Sequence, residues 1–571
     1  MTRAKQWLRW PIGCGRAAAL ATLLAVSGLS GCTKSSEQAA VEVLADPGVR
    51  ELLSNIPADT PYVYISFGGS MRPMVEKMYK QMSPLIEKLS PTIEQALQNE
   101  GEWTPLIRAL FTEFKAIVSD GGLDRTGIDI DGKAAFYGIG GLPAMRWSLK
   151  DPQALRDLLG RVQQNGAVTI PTCKLGDADY WCGEFAGTKL AAAIVSNELV
   201  MGIAPTAMAD KVFEMLFGKT KPERSLADSP KLRDLLANWQ LGRFNAGYVD
   251  VRVIVEAFLG EGDPLNKEVL TAVNPRAAEH WPQITQVCKD EIRGLAGIAP
   301  MIVFGTEAMS AEGFEMVFGV ELRSDIAQDL KSLRASVPGL SKELREQVIF
   351  AMGVGSDFGK SLEWMQRKGA EVTKSPYQCP ELAELNQAAE KIGQDKGSFP
   401  NWIPGLRGGS LVLTDIKMAG FLPSSITGYA VLASADPKAA YEAIRGELPA
   451  IAAYEFSDDG KVKTLPDGTV PFVNGIAYGA KAGAGIVVAV GPGSEAKVSE
   501  LLAAPEVKDP PLALFAYDFG KMMEQLQPLL GMAGQSDLTA ALDIYKMFGP
   551  SGYEMYAEDR GLVFKAAMKL R

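Results

Sequence analysis

Short runs such as YVYISF (Tyr62–Phe67), AGYVDV (246–251) and LFAYDF (514–519) alternate their side chains with a period of two, the pattern of β-strands. Between them lie stretches with apolar residues at helical spacing: MVEKMYKQMSPLIEKL from Met74, and PLIRALFTEFKAIV from Pro105. The Asp-Pro steps at 151–152 and 436–437 predict helix starts, because proline is tolerated in the first helical turn. LAAAIVSNELVMGIA predicts a hairpin turning at Asn197-Glu198, and IAYGAKAGAGIVVAV one turning near Ala482-Gly483. Each runs on into an amphipathic helix, with Val212, Met215 and Leu216 apolar in the first and Val498, Leu501 and Leu502 in the second. Strands joined by hairpins with helices between them predict an α+β fold of mostly antiparallel sheet with packed amphipathic helices.

The same grammar is written twice. FGGSMRPMVEKM (67–78) corresponds to GVGSDFGKSLEWM (353–365), and KDPQALRDLL (150–159) to ADPKAAYEAI (435–444). LVMGIAP followed by KVFEML corresponds to IVVAVGP followed by KVSELL, and GFEMVFGVELR (313–323) to GLVFKAAMKLR (561–571). The matches keep one order and a nearly constant spacing until a shorter loop in the second half, which predicts a duplication with repeat one at 48–325 and repeat two at 326–571.

The first 31 residues carry Arg3, Lys5, Arg9 and Arg16, no acidic residue, and an apolar core at Ala17–Val26 too short to span a bilayer. They end in Leu29-Ser30-Gly31-Cys32, which resembles the lipobox of bacterial lipoproteins. That resemblance implies a signal peptide over 1–31, cleavage before Cys32 and lipidation of Cys32. Thr33 is not the aspartate linked in enterobacteria to inner-membrane retention, so the implied location is the outer membrane, facing the periplasm. Residues 32–47 read as a polar tether. The implied partner is the membrane, reached through palmitate-type acyl chains rather than a spanning helix.

Charge agrees with that placement. The whole chain carries −10, and loss of the four basic residues of the signal leaves −14 on the mature protein. An acidic body without a Lys/Arg block has no electrostatic footprint for nucleic acid. Of six cysteines, four remain once Cys14 leaves with the signal and Cys32 is acylated, an even number suited to disulfides in an oxidising compartment. A hairpin turning at Asp177-Ala178 would set Cys173 opposite Cys182, leaving Cys288 to pair with Cys379 by elimination. A cysteine metal site is the weaker reading, since no C-x-x-C occurs and the chain has one histidine.

Several motifs invite chemistry, and each falls short. Gly359-Lys360-Ser361 has Val354 where a phosphate-binding loop requires its first glycine, so no nucleotide is expected there. SEAK (494–497) fits S-x-x-K, but the companion elements of penicillin-recognising enzymes are absent and Ser494 reads as a helix N-cap. His280, the lone histidine, has no nucleophile elbow or H-E-x-x-H context. GIDIDGK (127–133) lacks the later ligands of a calcium loop. The stripe Met71, Met74, Met78, Met82 reads as core, with an apolar groove as its functional alternative. No catalytic residue, metal ligand or cofactor is therefore assigned.

LLSNIPADTPYVYISF together with GIDIDGKAAFYGIGGLP resembles uncharacterised proteobacterial lipoproteins opening with an Ile-Pro-Ala-Asp segment, which implies placement and fold style but no activity. The leading expectation is a non-enzymatic envelope lipoprotein that binds a partner or scaffolds an assembly. A carrier or acceptor of lipid or another apolar ligand comes second, and a periplasmic hydrolase third.

Overall fold

The computed structural model describes residues 36–69, 71–97, 104–119, 122–394, 400–419, 422–447, 456–470, 473–532 and 543–571. Cys32 and the signal-like segment lie outside them. Nineteen strands occur among the described residues. The first ten are β1 (Tyr62–Ser66), β2 (Ala134–Ile139), β3 (Leu142–Ser148), β4 (Thr172–Leu175), β5 (Ala178–Phe185), β6 (Thr188–Val195), β7 (Glu198–Pro205), β8 (Asn245–Asp250), β9 (Met301–Ser310) and β10 (Gly313–Glu321). Then come β11 (Phe350–Gly355), β12 (Leu406–Ala419), β13 (Leu422–Ser434), β14 (Lys463–Thr464), β15 (Ala477–Lys481), β16 (Gly485–Val490), β17 (Ala513–Asp518), β18 (Phe548–Glu558) and β19 (Gly561–Leu570).

All pairings between them are antiparallel, and they link the strands in one series: β4-β5-β6-β7-β3-β2-β1-β8-β9-β10-β19-β18-β17-β11-β12-β13-β16-β15-β14. The α+β class with mostly antiparallel sheet is thus observed. At the centre β10 pairs with β19 from Gly313↔Lys569 to Glu321↔Gly561, with Val317 facing Lys565 midway. Outward from this ladder, β9, β8, β1, β2, β3, β7 and β6 follow on one side, and β18, β17, β11, β12, β13, β16 and β15 on the other.

Helices cover one face of the sheet in both halves, and Arg72–Ala96 and Pro152–Gly166 pack over parts of the other, the latter setting Leu155 against Leu199. Helix Pro47–Ser54 inserts Val49, Leu52 and Leu53, helix Ala209–Leu216 inserts Val212, Phe213 and Leu216, and helix Pro230–Trp239 inserts Leu232, Leu235, Leu236 and Trp239. They meet alternate strand residues, among them Val63, Ile65, Tyr137, Val200, Tyr248 and Val303, in one buried cluster. In the second half, helix Ser494–Ala503 packs Val498, Leu501 and Leu502 against Ala351, Val412, Val431, Val487 and Leu514. Fully burying each such side chain contributes about 1.5–3 kcal/mol. The close fit leaves no room at Gly319, where a Cβ would lie 2.0 Å from Trp239.

Local signals act as expected at several starts. Asp151 accepts from the N–H groups of Gln153 and Ala154, with Pro152 opening the helix Pro152–Gly166. Other expectations are corrected. Ser494 is not a cap: Gly493, with φ 79°, precedes the helix and Ser494 is its first, buried residue. Positions 36–45 of the expected tether form a helix, Ser36–Ala45, whose Val43 and Leu44 pack on the first core. The hairpin expected to turn at Asn197-Glu198 turns at Ser196-Asn197, since Val195 pairs with Glu198.

Both disulfides form as paired in the sequence reading, Cys173–Cys182 and Cys288–Cys379. The hairpin register differs. Leu175 pairs with Ala178, so the turn is Gly176-Asp177 and Cys173 faces Tyr180. Gly176 takes φ 61°, which glycine adopts without the Cβ penalty and which suits the first position of a two-residue hairpin loop. Cys182 therefore lies diagonally across from Cys173, with the Cα atoms still 5.8 Å apart, within disulfide reach. Cys288–Cys379 ties helix Gln286–Ala296 to the turn Pro380–Leu382, and Glu291 accepts there from the N–H groups of Gln378 and Cys379. No helix among the described residues is long and apolar enough to cross a membrane.

Because the second bridge closes a far longer ring, Cys288→Ser/Cys379→Ser is expected to cost up to ~4.6 kcal/mol, and Cys173→Ser/Cys182→Ser up to ~2.7. Urea unfolding midpoints of the two double variants provide the check, and the reverse ranking would remove this entropic account.

Candidate functional site

The motifs singled out in the sequence are held in structural roles. Gly353 and Gly355 belong to β11, where a Cβ would meet Leu340 at 2.5 Å and the Ala335 carbonyl at 2.4 Å. They permit close packing. Lys360 pairs with Asp357, the residue that caps its own helix. Lys497 is engaged by Glu500 at 2.8 Å and lies over the Tyr429 ring, so it is not poised as a base for Ser494. In GIDIDGK, Asp129 accepts from the Asp131 N–H and Asp131 from the Arg72 N–H, which fixes a turn before β2. His280 closes the short helix Pro275–His280. The disulfides take up the sulfurs of Cys173, Cys182, Cys288 and Cys379, so the thiolate ligands of a cysteine metal site are not available; Glu381 lies against the second bridge.

Buried carboxylates are likewise spent. Asp250 pairs with Lys231 at 2.6 Å, Glu113 with Arg161 at 3.1 Å, and Asp518 with Arg571 at 2.6 Å. Asp250 and Asp518 stand at the ends of β8 and β17, where Asp250 also accepts from the N–H groups of Arg252 and Val253 and Asp518 from that of Lys521, in the helices that follow. A charged cleft of about 670 Å³ opens on the helix-covered side of the central strands. Its ions answer one another: Lys565 with Glu307, Lys331 with Asp559, Arg334 with Asp509, and Arg345 with Glu554, which also accepts from the Tyr556 hydroxyl.

The distinctive surface is the opposite face of the sheet. A row of cross-strand neighbours starts at Trp181 on β5 and runs through Ala192, Met201, Met145, Phe136 and Tyr64. It crosses β8 at Gly247 and continues through Phe304, Phe318 and Phe564 at the centre of the sheet. On the far side Met555, Ala513, Val354, Gly409, Leu432 and Ile486 carry it to Ala480 on β15. Apart from the Tyr64 phenol no residue of this row ionises. A second row beside it includes Met316, Tyr553, Phe515, Met352 and Leu411.

Many of these side chains are open to solvent: Phe318 is 44 % exposed, Met352 48 %, Leu411 52 %, Phe515 40 % and Tyr553 48 %. An antiparallel sheet with a solvated face ordinarily carries polar residues there. A contiguous apolar surface instead marks a place where something binds. Ring contacts stiffen it: Tyr62 stacks on Phe136 at 5.6 Å, Tyr64 on Phe304 at 6.1 Å, and Phe318 meets Phe564 edge-on at 5.9 Å. Gly247 makes the Tyr64–Phe304 stack possible, because a Cβ there would lie 2.3 Å from the Phe304 ring. One end of the face is walled by the helix Arg72–Ala96, whose Met74 and Met78 pack with Phe244, Met309, Phe314 and Leu570. Met71 joins Val75, Leu123 and Ile130 in a neighbouring cluster, so three of the four methionines of the stripe, Met71, Met74 and Met78, pack in core clusters, while Met82 belongs to none of them.

Along the first-half strands the open face deepens into a pocket of about 410 Å³ between β5, β6, β7, β3 and β2. Trp181, Leu190, Met201, Met145, Phe136 and Ile170 line it as an open groove, and none of the residues around it is ionisable, Cys182 being held in its disulfide. Sequence reasoning missed this face. Alternation along GFEMVFGVE sets Phe314, Met316, Phe318 and Val320 on one side and Glu315, Val317 and Glu321 on the other; local pattern would bury the first side, and the structure buries Val317 instead.

Burial pushes the phenols of Tyr62 and Tyr64 on the open face above their ordinary value of 10, and that of Tyr429 on the covered side up to about 12. A raised phenol favours the neutral form in the folded state, so its stabilisation is complete below pH 10 and is lost as pH rises from there through the folded-state value. Spectrophotometric titration is expected to show tyrosines ionising late and together with unfolding, and ordinary reversible titration of every tyrosine near pH 10 would contradict their burial.

Compared with models of known protein families, with curated proteins and with solved structures, the chain matches none, so the geometry of this face stands as the guide to function.

Proposed function

We propose that this chain is a lipid-anchored envelope protein facing the periplasm of a Gram-negative cell, and that it is a non-enzymatic binder whose working surface is the open apolar face of its sheet. The observation that carries the reading is the charge-free row running from β5 to β15 with half-exposed aromatic, methionine and leucine side chains on or beside it. Leaving such area in water is costly, at roughly 25 cal/mol per Å² of apolar surface, so a partner or ligand that covers it gains what folding left unspent. The ion-paired state of the buried carboxylates speaks against an acid–base active site among them.

Placement rests on the lipobox-like Leu29-Ser30-Gly31-Cys32. Two disulfides suit an oxidising compartment. The two-repeat organisation, 48–325 and 326–571, is part of the proposal. It is supported by strands that follow in the same order on either side of the β10–β19 ladder, and by equivalent aspartates at the ends of β8 and β17. In this reading one ancestral unit was doubled, and the join made the apolar face continuous.

Two measurements test the proposal. Labelled palmitate is expected to enter the wild-type protein and not Cys32→Ala; a protein that stays unlabelled and soluble in the cytosol ends the placement. Mass spectrometry of the protein purified from its native envelope is expected to find a lipid or a stoichiometric protein that is lost in a Phe318→Ser/Leu411→Ser variant. An environment-sensitive apolar dye should brighten on the wild type and much less on that variant. Equal dye binding and an empty native preparation would remove the open face as the binding surface.

A further inference from the structure

We infer that the first-half pocket of the open face holds an acyl chain of a membrane lipid. This inference rests on the open face being the binding surface and narrows it to a ligand class. The pocket crosses five adjacent strands, β5, β6, β7, β3 and β2, or about 19 Å at the usual spacing of strands, the scale of a long extended chain. Its volume of about 410 Å³ falls within the roughly 300–1,000 Å³ of small-molecule sites.

The chemistry of the lining decides between ligands. No carboxylate, ammonium, guanidinium or hydroxyl group surrounds the pocket. The N–H and C=O groups of its floor are engaged in the ladders between β5, β6, β7, β3 and β2. An extended peptide laid across this floor would bring an amide at every residue and find no partner for it, a cost of one unsatisfied polar group after another. A hydrocarbon chain brings none. Each methylene moved from water into such a site gains roughly fourfold in its partition. Gly183 on β5 keeps the floor clear: a Cβ there would meet only Leu190, at an ordinary 3.4 Å.

Position supplies the ligand. The described chain begins with helix Ser36–Ala45, docked on the same core as helix Pro230–Trp239. Only Thr33, Lys34 and Ser35 separate it from Cys32, so an acylated Cys32, part of the same proposal, would hold Ser36 within about 14 Å of its lipid anchor and the protein beside the bilayer. Acyl chains are then the apolar molecules in greatest local supply. The site takes the chain and leaves the charged headgroup outside in water.

The test uses the full chain reconstituted into phosphatidylcholine vesicles that contain a phosphatidylcholine with a photoactivatable diazirine on one acyl chain. After irradiation, cross-linked peptides are expected to map to Trp181, Leu190 and Met201. Gly183→Trp fills the pocket and Leu190→Asp places a charge in it, at positions the structure leaves half-open. Each is expected to lower the yield at these residues at least about tenfold while leaving the unfolding midpoint near wild type. Cross-links at these residues that neither variant diminishes would overturn the inference. Labelling confined to Phe318, Phe515 and Tyr553 would also overturn it while leaving the open-face reading intact, whereas loss of dye binding contrast in the Phe318→Ser/Leu411→Ser variant removes the broader reading itself.

Discussion

Strands β10 and β19 pair over nine residues, and that ladder makes one sheet of two halves. Without it each half would end in an exposed edge of unpaired backbone groups, a template for unwanted pairing. With it the edges move out to β4 and to the two-residue β14. The ladder also aligns side chains by face. Phe318 and Phe564 look one way, and Val317 and Val563 the other, so the apolar row and the buried core each pass from one half to the next without a break.

The two faces then meet different fates. Helices close over one of them, where Trp239 sits against Gly319 and Arg560 lies over the Trp239 ring at 4.6 Å, so that a second-half cation caps a first-half helix. Between the helical layers the central strands carry Glu307, Glu315, Lys565 and Glu554 in place of apolar residues, and those charges pair among themselves and with Arg345. The other face keeps aromatic and aliphatic side chains open to solvent across the same strands. A sheet that is charged on its sheltered side and apolar on its open side inverts the ordinary arrangement at its centre. That inversion is the strongest structural reason to regard the open face as functional rather than as leftover surface.

Much of the fold was legible in local pattern. Period-two runs located β1, β8 and β17, Asp-Pro marked the helix Pro152–Gly166, and the hairpin spacing of Cys173 and Cys182, with Cys288 and Cys379 left to each other, led to both disulfides. The misses were of two kinds, turn conformation and tertiary docking. The turn at Gly176-Asp177 and that at Ser196-Asn197 each lie one residue from their expected place, because a backbone able to take a left-handed φ decides the loop and apolar alternation alone does not. Ser494 has the composition of a cap, but Gly493 took the turn conformation first. The helix Ser36–Ala45 is polar enough to read as a tether, and only Val43 and Leu44 on the first core make it a docked element.

By itself the sequence determined the class of the elements, their order and the acidic, cysteine-paired character of the chain, since all of these depend on neighbours a few residues apart or on composition. Only the tertiary structure decided which apolar face is covered. Along β10 the alternation sets Phe314, Met316, Phe318 and Val320 on one side and Glu315, Val317 and Glu321 on the other, so local pattern would bury the aromatic side, yet Val317 is the buried residue and Phe318 stays 44 % exposed. The difference comes from where helix Pro230–Trp239 and strand β19 lie, segments about eighty and two hundred and fifty residues away along the chain. Burial is a property of packing between distant segments, and for that reason the candidate site became visible only in three dimensions.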